Sequence, residues 1–302
     1  MKLYYYKDQH GNFGDDLNPW LWNKLIPELL DDNESELFVG IGTLLNHRIP
    51  AAAKKIVFGS GAGYGEAPVI DQKWRFYCVR GPLTARKLGL DSSLALTDPA
   101  ILMTDYLSEF DASDNHRKVS YMPHHESMDY ADWKQISESA GLRFIDPGAS
   151  LEQVVGLIRH AKLLVTEAMH GAIMADAMRV PWIPVSCYEH IFEFKWQDWC
   201  QSLGVDYQPV KLAPVWDAER HVATVQRVKN TIKRGLSGIG IHSSQWTPPP
   251  PVKSTAKHVA SVTSQLSRLA HDTQAMLSDD RVLAEVIEKL KIKLDQLRRD
   301  FS

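Results

Sequence analysis

Leu163-Leu164-Val165-Thr166-Glu167-Ala168-Met169-His170-Gly171-Ala172 decides the fold of this chain. Its first residues are an apolar run suited to a buried strand, and Ile173, Met174, Ala177 and Met178 beyond it suit a helix. A strand therefore turns directly into a helix over 168–178, with His170 near the turn. Free backbone N–H groups at such a turn can bind a phosphate.

The same alternation of short apolar runs and helical patterns extends outward in both directions. Strands are predicted at Leu3 to Tyr6, Leu37 to Gly40, Lys55 to Phe58, Trp74 to Val79 and Leu94 to Thr97, with helices at Leu17–Leu30 and Pro82–Leu88. A polar break follows at Asp111-Ala112-Ser113-Asp114-Asn115. The second series has strands at Lys118 to Met122, Arg143 to Ile145, Leu163 to Thr166 and Trp182 to Val185, and helices at Tyr130–Ala140, Leu151–Ala161 and Ala168–Met178. These repeated units imply an α/β chain of two Rossmann-like domains, 1–114 and 115–215, facing across a cleft. Ligands in such sheets lie beyond the carboxyl ends of the strands.

Past Val215 a mixed helix is expected from Ala218 to Arg234, and prolines 248–251 make a stiff linker within 247–251. From Val259 to Phe301 apolar residues keep one alternating 3/4 spacing, broken only at Thr273 and Asp280. Residues 216–302 thus read as a helical extension. Its stripe suits either packing on its own domain or pairing with a second copy of the chain.

The 302 residues suffice for two such domains, and a net charge of -3 gives no general attraction to nucleic acid. Cys78, Cys187 and Cys200 show no paired spacing and read as reduced thiols. With no leader-like N-terminus and no run of spanning length, the expected location is cytoplasmic, with peripheral contact to the inner membrane left open.

Several segments together resemble the polysaccharide pyruvyl transferases. They are Asn12-Phe13-Gly14-Asp15-Asp16 with Asn18, Gly40-Ile41-Gly42-Thr43-Leu44-Leu45, Val79-Arg80-Gly81-Pro82-Leu83-Thr84, Thr97-Asp98-Pro99-Ala100, and the His170 segment leading to Val180-Pro181. They stand in family order over about residues 1–200, closest to the branch that decorates exopolysaccharides such as succinoglycan and xanthan. The resemblance implies a glycosyltransferase-B-like arrangement of the two domains. It also implies transfer of pyruvate from phosphoenolpyruvate to a glycan acceptor, free or lipid-linked, without a further cofactor or metal.

In that scheme His170 is a general acid or phosphate clamp, since its ordinary pKa lies near neutrality. Arg80 and Lys195 hold the anionic donor, with Gly171 at the helix start. Asp15 serves as base or acceptor anchor, or caps a helix. Asn12, Asp16, Asn18, Gly42, Thr43, His125 and Glu167 are further cleft candidates, Glu167 either orienting His170 or capping the turn. Many relatives place an arginine two residues before the histidine. This chain has Ala168 there, so another cation must serve or the donor lies differently.

Two patterns are discounted. Gly59-Ser60-Gly61-Ala62-Gly63-Tyr64-Gly65 puts Tyr64 where a dinucleotide loop needs its third glycine. His124-His125-Glu126 suggests a metal, but adjacent residues on a strand point to opposite faces. A nucleotide-sugar glycosyltransferase of the same architecture, or a non-catalytic scaffold for polysaccharide assembly, are the rival readings.

Overall fold

The strand-and-helix alternation forms two all-parallel sheets in a computed structural model of the chain. The structure describes residues 1–7, 11–50, 54–110, 117–217, 252–271 and 274–301, with 228–229, 231–233 and 235–236 between them. The first sheet has the order β1 (Lys2–Tyr4), β2 (Glu36–Val39), β3 (Lys54–Phe58), β4 (Trp74–Cys78). The second has the order β6 (Arg143–Phe144), β5 (Lys118–Met122), β7 (Ala161–Thr166), β8 (Trp182–Ser186), β9 (Val210–Lys211). Its strand order reverses at β5, so a crevice opens beyond the carboxyl ends of β5 and β7, the usual ligand position in such sheets.

Four of the helices between these strands are α1 (Phe13–Leu25), α2 (Pro82–Leu88), α3 (Trp133–Ser139) and α4 (Leu151–Arg159). Helix α5 (Met169–Ala177) follows β7 and α6 (Glu193–Ser202) follows β8. Helix α1 begins at an Asn12 cap, whose side chain accepts from Gly14 N, and its buried face packs on α4 and α5. One hydrophobic core therefore runs from Leu17, Trp22 and Phe58 near the first sheet to Val154, Ile173 and Trp182 near the second.

The strand predicted at Leu94 to Thr97 does not form. Its apolar alternation makes only a short 3-10 turn, Ser92–Leu94, and a single bridge from Ala95 to Val79. The helix predicted over Leu17–Leu30 starts earlier and stops at Leu25, because Pro27 opens a separate 3-10 turn. Pro99–Glu109, a long 3-10 stretch, and α6 were not anticipated. The polar break at Asp111–Asn115, the proline run and most of the helix expected from Ala218 to Arg234 lie outside the described residues; 228–229 and 231–233 are helical.

The C-terminal stripe splits into two helices that pack on this chain's own cores. Helix α7 (Ala256–Leu269) buries Val262, Leu266 and Leu269 against α3, in the core that holds Trp133 and Ile136. Helix α8 (Asp280–Phe301) buries Leu283, Val286, Leu290, Leu294 and Leu297 in the core that reaches Tyr77 and Cys78 of β4. Between them Met276 exchanges two backbone hydrogen bonds with Trp182 of β8, at 3.0 and 2.7 Å. Asp176 of α5 accepts from Ser278 N and from Trp182 Nε1, each at 2.9 Å. At the far end Asp300 pairs with Arg75 and accepts from the Tyr77 hydroxyl.

All three cysteines are buried and free. Among the described residues, no helix is long and apolar enough to cross a membrane.

Candidate active site

A cleft of about 930 Å3 lies where the carboxyl ends of the two sheets meet. The first sheet contributes Tyr4 to Lys7 after β1, Gly42, Thr43, Asn46 and Arg48 after β2, and Tyr64 after β3. The second contributes His124 to Glu126 after β5, Ala168 to His170 after β7, and Lys195 on α6. The amino end of α1, with Asn12 and Asp15, forms part of the wall. Both α1 and α5 thus start at the cleft; the first amides of α1 are already bonded, Phe13 N to Pro147 O and Gly14 N to Asn12 Oδ1, so α5 is the helix that offers free N–H groups there.

His170 is held from two sides. Its Nε2 lies 3.5 Å from Oδ2 of fully buried Asp98, an ion-pair distance, and among the described residues neither of these buried atoms has a hydrogen-bond partner. Since buried polar atoms seek partners, the two face each other as a carboxylate–imidazole dyad. Oδ1 of Asp98 accepts from Ala100 N at 3.0 Å, which fixes the carboxylate at the start of the 3-10 stretch. On the other side the ring lies against Gly14 of α1, where a Cβ would be 2.2 Å from Nδ1.

Gly14→Ala is accordingly expected to displace the imidazole. The backbone there is ordinary helix, so alanine itself adds up to about 1 kcal/mol of helix preference. A catalytic group misplaced by an ångström costs about 10²-fold in rate. Turnover should fall by that order with little change in melting temperature, and unaltered turnover would show that the ring tolerates the methyl group.

Lys195 is 8% exposed, and its Nζ donates to the Tyr64 hydroxyl at 3.1 Å. No carboxylate pairs with it among the described residues. A buried ammonium without a carboxylate, facing a cleft, is a place for an anionic ligand. Its positive charge adds to burial and to neighbouring imidazoles in disfavouring protonation nearby. Burial first, and then Lys195 and His125, push His190 down to about 4. Burial likewise holds His124 well below the usual histidine range, with Lys195 again contributing.

Of the anticipated residues, His170, Asp15, Asn12, Gly42, Thr43, His125 and Lys195 line the cleft. Arg80 does not. It is fully buried, its Nε bonded to Asp198 at 3.1 Å and its Nη1 to Thr43 Oγ1 at 2.7 Å. The guanidinium is occupied within the protein, and what it positions at the cleft is Thr43. Asp198 also accepts from the Thr84 backbone N–H and hydroxyl, so the network joins α2 to α6.

Asn18 is structural, bonding both backbone groups of Ile41 and accepting from Trp22 Nε1. Asp16 points to solvent outside the cleft. Gly171 faces inward, where a Cβ would meet Met122 Sδ at 2.8 Å, so it is a packing glycine. Glu167 neither touches His170 nor caps its helix. It accepts from His124 N at 3.2 Å and Cys187 N at 3.0 Å, joining the loops after β5 and β8, and burial raises its pKa to about 7.

The argument that kept His124 and His125 apart is also corrected. Strand β5 ends at Met122, so both lie in a turn, with ring centroids 4.3 Å apart. Their ring nitrogens and a Glu126 oxygen all lie within 4.8 Å of one another. The sequence reading missed Asp98 as a site residue, although Thr97-Asp98-Pro99-Ala100 was among the segments noted. The signal was available, because an Asp-Pro pair before an apolar run marks a capped turn whose carboxylate is fixed.

The polysaccharide pyruvyl transferase family model matches residues 3–189, which include β2, β3, β4 and all but the first residue of β1 in the first sheet, and four strands of the second. The chain belongs to this family. Along its full length, and the full length of the relative, it is 38% identical to the succinoglycan biosynthesis protein ExoV of Rhizobium meliloti (strain 1021). No solved structure matches the chain. Membership of the family makes the protein a polysaccharide pyruvyltransferase.

Proposed function

We propose that the protein transfers pyruvate from phosphoenolpyruvate to a sugar of an exopolysaccharide or its precursor, forming a ketal and releasing phosphate. The observation that carries this reading is the pairing, in one cleft, of an Asp98-backed His170 with a buried Lys195 that has no carboxylate partner among the described residues. The donor carries a carboxylate and a phosphate, and both Lys195 and the free N–H groups opening α5 favour anions.

His170, seated between Asp98 and Gly14 at the cleft wall, gives a proton to the donor's methylene carbon, and C2 becomes electrophilic. A sugar hydroxyl adds to C2 and releases its proton, for which Asp15 is the nearby carboxylate. A neighbouring hydroxyl then replaces phosphate at the same carbon, its proton leaving with the phosphate, and the ketal closes. Lys195 supplies the charge that Ala168 does not. Donor and acceptor meet between two Rossmann-like domains, 1–114 and 115–215, in a glycosyltransferase-B-like arrangement, on the cytoplasmic side and without a resident cofactor.

Phosphoenolpyruvate is expected to raise the melting temperature, because a ligand of the folded state stabilises it by mass action. UDP- and GDP-sugars should not. The reverse pattern would favour a nucleotide-sugar glycosyltransferase, and no response to either would favour a scaffold. Repeating the titration with a chelator separates donor binding from binding that needs a metal at His124, His125 and Glu126.

A further inference from the structure

We propose that Tyr64 is the platform on which a pyranose ring of the acceptor stacks, making the loop after β3 a saccharide subsite; this rests on the reading of the acceptor as a sugar. A pyranose has an apolar face of C–H groups and a rim of hydroxyls. It is bound by an exposed aromatic face flanked by hydrogen-bonding side chains. Tyr64 has that face, being 42% exposed while lining the cleft.

The ring is held in place before any ligand arrives. Phe192 stacks behind it with centroids 5.4 Å apart and planes 29° from parallel, and Lys195 Nζ donates to its hydroxyl. The flanking glycines let the loop sit close. A Cβ at Gly63 would meet Phe192 at 2.9 Å and Thr43 at 3.1 Å, while Gly65 has a φ of +66°. Tyr6, more exposed at 59%, also lines the cleft, but no other aromatic ring stacks on it among the described residues. An unsupported ring loses rotamer freedom on binding, whereas a pre-positioned one does not.

The surroundings suit a sugar's rim. Asp15, Asn46 and Glu126 line the same cleft and can pair with hydroxyls. The hydroxyl bond to Lys195 sets a sugar on Tyr64 beside the cation offered to the donor. A flat apolar ligand without hydroxyls would desolvate those side chains and offer them no hydrogen bonds.

The test uses the full chain and repeat-unit oligosaccharides released from the source organism's own exopolysaccharide, with pyruvate removed by mild acid. Binding is measured by titration without donor, alongside each variant's melting temperature and its response to phosphoenolpyruvate. Tyr64→Phe should bind within about twofold of wild type, since the face remains, while Tyr64→Ala and Tyr64→Leu should bind about tenfold more weakly. The response to phosphoenolpyruvate should persist in all three. Wild-type affinity in Tyr64→Leu or Tyr64→Ala would overturn the platform and leave pyruvyl transfer standing. Equal weakening in Tyr64→Phe would overturn stacking in favour of the hydroxyl. A wild-type chain that binds no oligosaccharide would overturn this inference and the acceptor reading together.

Discussion

Replacing His170 with alanine is expected to lower turnover by about 10² to 10⁴-fold, the usual contribution of a positioned general acid. The fold should survive. His170 is partly exposed, its side chain fills no core position, and Gly14 beside it has no side chain to collapse. Phosphate release from phosphoenolpyruvate plus acceptor measures the first effect, and circular dichroism the second. Asp98→Asn provides the companion measurement. An amide can still cap the turn at Ala100, but it no longer offers the imidazole a charged partner. Turnover should therefore fall with little change in melting temperature, and unaltered turnover would show that Asp98 does not position the ring. His124→Ala should do much less, since burial keeps His124 neutral and unsuited to donate a proton near neutral pH. Wild-type turnover in His170→Ala would remove the dyad from the chemistry.

A chain ending at Trp246 is expected not to fold. The eight side chains lost from the cores are Val262, Leu266, Leu269, Leu283, Val286, Leu290, Leu294 and Leu297, all buried. At about 1.5–3 kcal/mol each, their burial contributes ~12–24 kcal/mol before entropy is charged. That is comparable to or larger than the ~5–15 kcal/mol by which a folded domain is ordinarily stable. The remainder would expose the apolar surfaces of α3 and of the core beside β4, and aggregate. Light scattering and thermal melting check this. A soluble truncation with the wild-type melting temperature would show that the last two helices are dispensable for stability.

The parts of the fold legible in the sequence were those with strong local periodicity. Strand β7 and helix α5 were predicted because an apolar run of strand length meets a helical pattern with no intervening loop. The second sheet followed from the same signal repeated. Leu94 to Thr97 misled because Leu94 and Leu96 alternate as a strand would, while the chain there bridges only Ala95 and then turns at Asp98. Helix α6 was missed because Trp196, Trp199 and Cys200 are interrupted by charged residues, yet its buried Asp198 is the partner that takes Arg80 away from the cleft. No local pattern reports that a cation and its carboxylate meet across so much chain. The same limit applied to Asp98 and His170, whose motifs were both visible but whose contact depends on how α5 packs against the 3-10 stretch. The stripe in the C-terminal residues was legible as a stripe, but what covers it was not, since helical spacing says nothing of the partner's identity.

The return of α8 to β4 also fixes an order of events during synthesis. The strands of the first sheet leave the ribosome early, but Tyr77 and its neighbours await a helix that ends at Phe301. Chains are made at about 5–20 residues per second, so an incomplete sheet stands uncovered for roughly ten seconds or more before its last helix emerges. This half of the protein therefore completes its packing only after α8 has emerged, and a nascent chain stalled before residue 280 presents an open apolar face to chaperones and proteases.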